Sequence, residues 1–140
     1  LGPFVGTFLE KSGVPVLGTL ANPVHATNLA STLKRMPKGT LVIAVDACLG
    51  RLESVGKIEM FKGSIKPGAA VNKDLPATGD ISIMGIVNVG GFMEHLVLQS
   101  TRLNLVMGMS NYIAKGIKRA IPVKQRVGWE EVAASGAQMQ

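Results

Sequence analysis

The strongest hydrophobic signal in the chain is Leu41-Val42-Ile43-Ala44-Val45, an unbroken apolar run that meets a carboxylate at Asp46. A run this rich in Val and Ile predicts a strand over 41–46, buried on both faces of a parallel sheet. Residues 81–88 form a second apolar run and predict a second buried strand. Between them, residues 55–61 alternate apolar Ile58 and Met60 with Lys57 and Glu59. That alternation predicts a strand with one wet face, antiparallel or at an edge. Residues 14–20 read as a short apolar strand, weakened by Pro15 at its start.

Helical spacing appears in three places. Residues 3–12 predict a first helix, with Pro3 in the opening turn and Gly13 after the end. Asn22-Pro23 marks a turn, and Thr27 or Asn28 caps a helix running to about residue 36. Phe92, Leu96, Leu103, Val106, Met107 and Ile113 recur at helical intervals, which predicts one long helix over 92–115. Ile121-Pro122 ends it, and Trp129-Glu130-Glu131-Val132 reads as a short docked helix in the tail. Residues 63–79 show no periodicity, and a loop of that length in a compact domain is functional or disordered.

This order of elements predicts an α/β sandwich. No strand precedes the first helix, although a doubly wound sheet normally starts with one. The expectation is a single domain that begins partway in, without its first strand.

Composition narrows the field. A chain of 140 residues is one domain by length, with enough apolar content for a core. The net charge is +6, from 15 Lys+Arg against 9 Asp+Glu. Five of the positives, Lys115, Lys118, Arg119, Lys124 and Arg126, cluster late in the chain. With so few aromatic residues beside them, the cluster reads as a solvated helix end or tail, and no nucleic acid partner is expected. A lone cysteine, Cys48, excludes an internal disulfide and any multi-cysteine metal site. Charged and polar residues interrupt every long apolar stretch, so no membrane span is expected and a cytoplasmic location is.

Candidate chemistry centres on Asp46. A carboxylate at the carboxyl end of a buried strand sits where open α/β sheets place their ligands. It must be hydrogen-bonded, paired or exposed in a cleft. The bland alternative is a carboxylate that caps a loop. Asn72 and Lys73 lie in the long loop and could reach a substrate carbonyl; an exposed loop is the plainer reading. His25 and His95 lack the spacing of a metal motif, and Gly90-Gly91 is read as a steric necessity of a tight turn. Cys48 reads as a small core residue. Met84, Met93, Met107 and Met109 are assigned to core faces. Gly-x-Ser-x-Gly, P-loop, His-Glu-x-x-His and dinucleotide patterns are all absent from the sequence.

Four separated blocks carry a family resemblance. They are Leu-Gly-Pro-Phe-Val-Gly at 1–6, Val-Asp-Ala-Cys-Leu-Gly-Arg at 45–51, Lys-Pro-Gly-Ala-Ala-Val-Asn-Lys-Asp-Leu-Pro at 66–76 and Gly-Ile-Val-Asn-Val-Gly-Gly-Phe-Met-Glu at 85–94. Over residues 1–117 the chain resembles the YyaC family of sporulation proteins, which is similar to the spore germination protease and, more distantly, to hydrogenase maturation proteases. The basic tail, 118–140, carries no such likeness. The resemblance implies a three-layer α/β/α sandwich around a central, mostly parallel sheet. It also implies an aspartate-dependent peptidase acting on a spore protein in the developing spore or forespore. Asp46 takes the place of one of two catalytic aspartates. The other belongs just before the Leu-Gly-Pro block and has no counterpart within these residues. Gly68, Asn72 and Lys73 match a loop of the germination protease and are the implied substrate-binding residues. His25 and His95 fall outside the blocks that carry the metal-binding histidine of the maturation enzymes, so no metal and no cofactor are expected. With one aspartate of the pair, the chain alone is expected to be inactive. The alternative is a non-catalytic sporulation factor that uses the fold as a protein-binding module, and a homo-oligomer is compatible with either.

Overall fold

A computed structural model describes residues 1–67, 75–91 and 94–121. The side chains of Glu94, His95 and Leu98 lie outside that set, as does the whole segment read as a docked helix in the tail. Helix α1 (Gly2–Leu9) has Pro3 in its first turn and runs into a single 3₁₀ turn over Glu10–Ser12. It stops at Gly13, whose φ of 73° is left-handed and suits a residue without Cβ.

Residues 14–20 form no strand, contrary to the hydrophobic pattern. Pro15 cannot donate to a ladder, and Gly18 turns the backbone to a φ of 89°. The segment instead folds back onto α1. Gly6 lies so close beneath the Gly18 carbonyl that a Cβ there would collide with it, and Leu20 N–H donates to Thr7 Oγ1 at 2.9 Å. Helix α2 (Leu29–Lys34) is shorter than expected. Asn28 stands at its N-cap position without capping it; its side chain accepts from His25 N–H (2.8 Å) and donates to the Pro23 carbonyl (3.0 Å).

Three strands make one mixed sheet in the order β1-β3-β2: β1 (Ile43–Gly50), β2 (Ile58–Lys62) and β3 (Ile81–Val89). β3 runs parallel to β1, pairing Val45 with Ile83, and antiparallel to β2, pairing Met60 with Ile83. The expectation that residues 41–46 are buried on both faces is corrected: only Ala44 in β1 is fully buried. β1 is outermost among the described strands, and none of them pairs with its other edge. β3 is the buried strand, with Ser82, Ile83, Gly85, Ile86 and Val87 inside. β2 is antiparallel and at an edge, as its alternation predicts, and all five of its residues are exposed.

The expected long helix is two helices, α3 (Glu94–Gln99) and α4 (Leu103–Ala120). Ser100 and Thr101 hydroxyls and Asn88 Nδ2 all donate to the Val97 carbonyl, at 2.9, 3.4 and 3.0 Å. Side chains that claim a helix carbonyl in this way compete with the helical ladder, and Arg102 is already extended. The core lies where α1 and α4 cross one face of the sheet. Val5, Leu9, Ile83, Ile113, Ala114 and Ile117 are all at most 7% exposed there, flanked by Ile43 and Val45. Of the four methionines assigned to the core, Met109 is buried, Met84 half-buried and Met107 42% exposed; Met93 lies outside the described residues. The chain is thus a mixed α/β fold.

Candidate functional site

β1 passes through Asp46 and continues to Gly50, so Asp46 sits mid-strand and not at its carboxyl end. The ladder is interrupted just beyond, where the register shifts between Cys48 and Leu49. Asp46 Oδ1 accepts a 2.8 Å hydrogen bond from the N–H of its own neighbour, Ala47. Asp46 thus satisfies a backbone N–H within the strand and also stands on the wall of a cleft.

That cleft has a volume of about 640 Å³ and runs between α1, residues 14–18, α2 and the outer edge of β1. Its walls are mostly apolar. Among the described lining residues only Asp46 and His25 carry titratable side chains. Burial pushes the Asp46 carboxyl above its ordinary value, against the Ala47 hydrogen bond, which pulls it down. An acid in such surroundings is biased toward its protonated form, which is the state that can donate a proton.

The geometry of β1 explains why its edge belongs to the cleft. Val42 faces β3: its carbonyl accepts from Asp80 and Ile81 N–H (2.8 and 3.2 Å), and its N–H donates to Asp80 Oδ2 (2.9 Å). Alternation then turns Ile43 and Val45 outward. At Val45 the outward carbonyl is approached by α1, since a Cβ on Gly2 would lie 2.8 Å from it. No described strand pairs with the outward groups of β1.

Gly68, Asn72 and Lys73 lie outside the described residues. The two ends of their loop do not: Pro67 and Leu75 both line the cleft, together with Ile65 and Thr78. Ile65 and Thr78 pair their backbones at 2.9 and 2.8 Å, which closes the base of the loop. The described residues on either side of that segment therefore lie beside the strand that carries Asp46.

Two features escaped sequence reasoning. His25 lines the same cleft, from a loop in which Thr27 Oγ1 meets its Nδ1 at 2.8 Å and Asn28 holds its N–H. A lone histidine before a short helix gives no signal of that placement. Asp80 clamps the start of β1 to β3 through Val42, a role that needs the sheet order to be seen. Cys48 is half-buried, and burial raises its thiol pKa, reinforced by Glu59 and Asp46. No group of three potential metal ligands occurs among the described residues, and no described helix is long and apolar enough to cross a membrane.

Comparison with known proteins places this geometry in a family. Residues 1–116 match the family described as "Protein of unknown function (DUF1256)". The chain is 49% identical over 137 residues to the "Uncharacterized protein YyaC" of Bacillus subtilis (strain 168), an alignment covering 94% of this chain and 65% of that relative. It thus spans just under two thirds of the relative's length. No solved structure matches it. On both the family match and this relative, the chain belongs to the DUF1256 family, of which YyaC is the curated relative found.

Proposed function

We propose that the chain carries the Asp46 half of an aspartate-dependent peptidase that acts on a spore protein during sporulation or germination. The observation that supports this reading most is a half-buried carboxyl, biased toward its protonated form, on the wall of an apolar cleft beside an open strand edge. In amide hydrolysis a protonated carboxyl donates to the carbonyl oxygen or the leaving nitrogen, while an ionised partner takes a proton from the attacking water. Asp46 fits the donor role. The partner carboxylate is supplied by none of the described lining residues, and the expectation that the chain alone is inactive stands as part of this proposal.

Gly68, Asn72 and Lys73 complete the proposal as substrate-binding residues; the described residues flanking them, Pro67 and Leu75, line the cleft. The finer architecture proposed is a three-layer α/β/α sandwich with a predominantly parallel sheet, located in the forespore. The second reading, a protein-binding module without catalysis, is favoured by the same absence of a second carboxylate among the described lining residues.

The test is cleavage of small spore proteins by the longer YyaC-type protein, beside its Asp46→Asn variant, read by mass spectrometry. Defined fragments that vanish in the variant support the peptidase. Two folded proteins that both leave every substrate intact favour the binding module.

A further inference from the structure

We propose that residues 129–132 of this chain fold back along the outer side of α4, with Trp129 set against Met107 and Tyr112 and with Glu130 and Glu131 reaching Lys115 and Arg119. No residue of the Asp46 cleft takes part, and the peptidase reading is not needed for it.

α4 turns Met109, Ser110, Ile113, Ala114 and Ile117 inward and buries all five. Its exposed positions recur every four residues in two rows, 103 to 119 and 104 to 120. The first row holds Leu103, Met107, Asn111, Lys115 and Arg119, and the second is centred on Tyr112 between Gly108 and Gly116. Leu103, Met107 and Tyr112 are 60%, 42% and 73% exposed, apolar surface on the side of the helix that faces away from the core. Nothing lies within 4 Å of the place a Cβ would take on either glycine, so a neighbour can approach the helix backbone closely there. A strand added beside β1 lengthens the sheet in its own plane and leaves this side of α4 uncovered.

The occupant follows from charge and reach. α4 carries Lys115, Lys118 and Arg119 and no acid in any of its 18 residues. The residues after it carry one acidic pair, Glu130-Glu131, between Trp129 and Val132. Apolar side chains flanking two carboxylates complement a helix side that is apolar in its first half and basic in its last. The chain has left the helix by Ile121, whose backbone is extended, and Pro122 has no N–H with which to resume it. From Ile121 to Trp129 is eight residues, at most about 28 Å of extended chain. Tyr112 and Met107 lie about 13 and 21 Å back along the helix. Trp129 reaches both with slack, and Lys124 and Arg126 fall in the connecting stretch. Attachment to the same chain holds the segment at high effective concentration, so the contact needs little intrinsic affinity.

The chain holds a single Trp and a single Tyr, so energy transfer from Tyr112 to Trp129 reads the contact in the 140-residue chain itself. Strong transfer is expected, unchanged on dilution, with Trp129 severalfold less quenched by acrylamide than in a synthetic peptide of residues 122–140. Glu130→Lys with Glu131→Lys should undo both signals. Lys115→Glu with Arg119→Glu should do the same, at two exposed positions that leave the core untouched. Combining all four substitutions should restore both signals, which a loss of folding does not produce. Quenching equal to that of the free peptide, in a chain that still unfolds cooperatively, would overturn the proposal. Transfer that fades on dilution would also overturn it, by seating the segment on a second copy. A combined variant that restores neither signal would do so too.

Discussion

The sheet has two outer strands, and they are built differently. β2 presents Glu59 and Lys62, with Lys57 just ahead of it, and every residue is open to water. Charges on an edge strand make pairing with a stray strand costly, which is how folded proteins keep such edges inert. The stretch entering β1 is apolar from Leu41 to Val45, and β1 carries a single carboxyl at Asp46 and borders a cleft. Among the described strands, one outer edge is charged and exposed, and the other is apolar and borders a cleft.

The largest expected effect lies at the glycine that lets residues 16–18 pack against α1. Gly6→Val puts a side chain into the Gly18 carbonyl, and we expect a loss of about 3 kcal/mol or more in chemical denaturation. Ile113→Ala, in the core shared by α1, α4 and the sheet, should cost about 2–5 kcal/mol. Met60→Ala, 72% exposed on β2, should stay within about 0.5 kcal/mol. If Met60→Ala proved as costly as Ile113→Ala, the view of β2 as a wet, inert edge would be wrong.

A smaller effect concerns Asp46. Its folded pKa is raised, so the folded state holds the proton more tightly than the unfolded state does. The stability this contributes is complete below the unfolded value, about 3.9. It is lost as pH rises through the folded value. Asp46→Asn should therefore gain stability relative to the parent as pH climbs from about 4 toward neutrality. Denaturation curves at stepped pH check this, and a parent that gains over the variant across that window would reverse the sign. The smallest effect lies at Cys48, whose raised pKa owes part of its shift to Asp46. Its alkylation at pH 8 should be slower than that of a free thiol and slightly faster in Asp46→Asn.

Much of this was legible because local pattern and global place agreed. The alternation over Lys57, Ile58, Glu59 and Met60 marked β2 as an antiparallel edge, though both of its faces are exposed and not one, and the apolar run 81–88 marked the central strand. Pro3 and Gly13 bracketed the first helix. Residues 14–20 misled because hydropathy cannot distinguish a buried strand from a buried loop that packs on a helix. The break between α3 and α4 depends on Asn88 reaching Val97 from another element, which no window along the chain contains. Asp46 was legible as a carboxylate closing an apolar run. Its mid-strand position was not, because Ala47-Cys48-Leu49-Gly50 joins the ladder only across an irregularity opposite β3. That β1 is outermost among the described strands was equally hidden, since apolar composition looks the same on a central strand and on an edge that borders a cleft.

Amide hydrogen exchange along β1, followed residue by residue by NMR, tests the open edge most directly. The account predicts alternation: the Ala44 N–H, turned toward β3, is protected, and the Ile43 N–H, turned into the cleft, exchanges far faster. Equal strong protection at Ile43 and Ala44 would mean that the edge is already paired, and the account of β1 as an outer strand would fall.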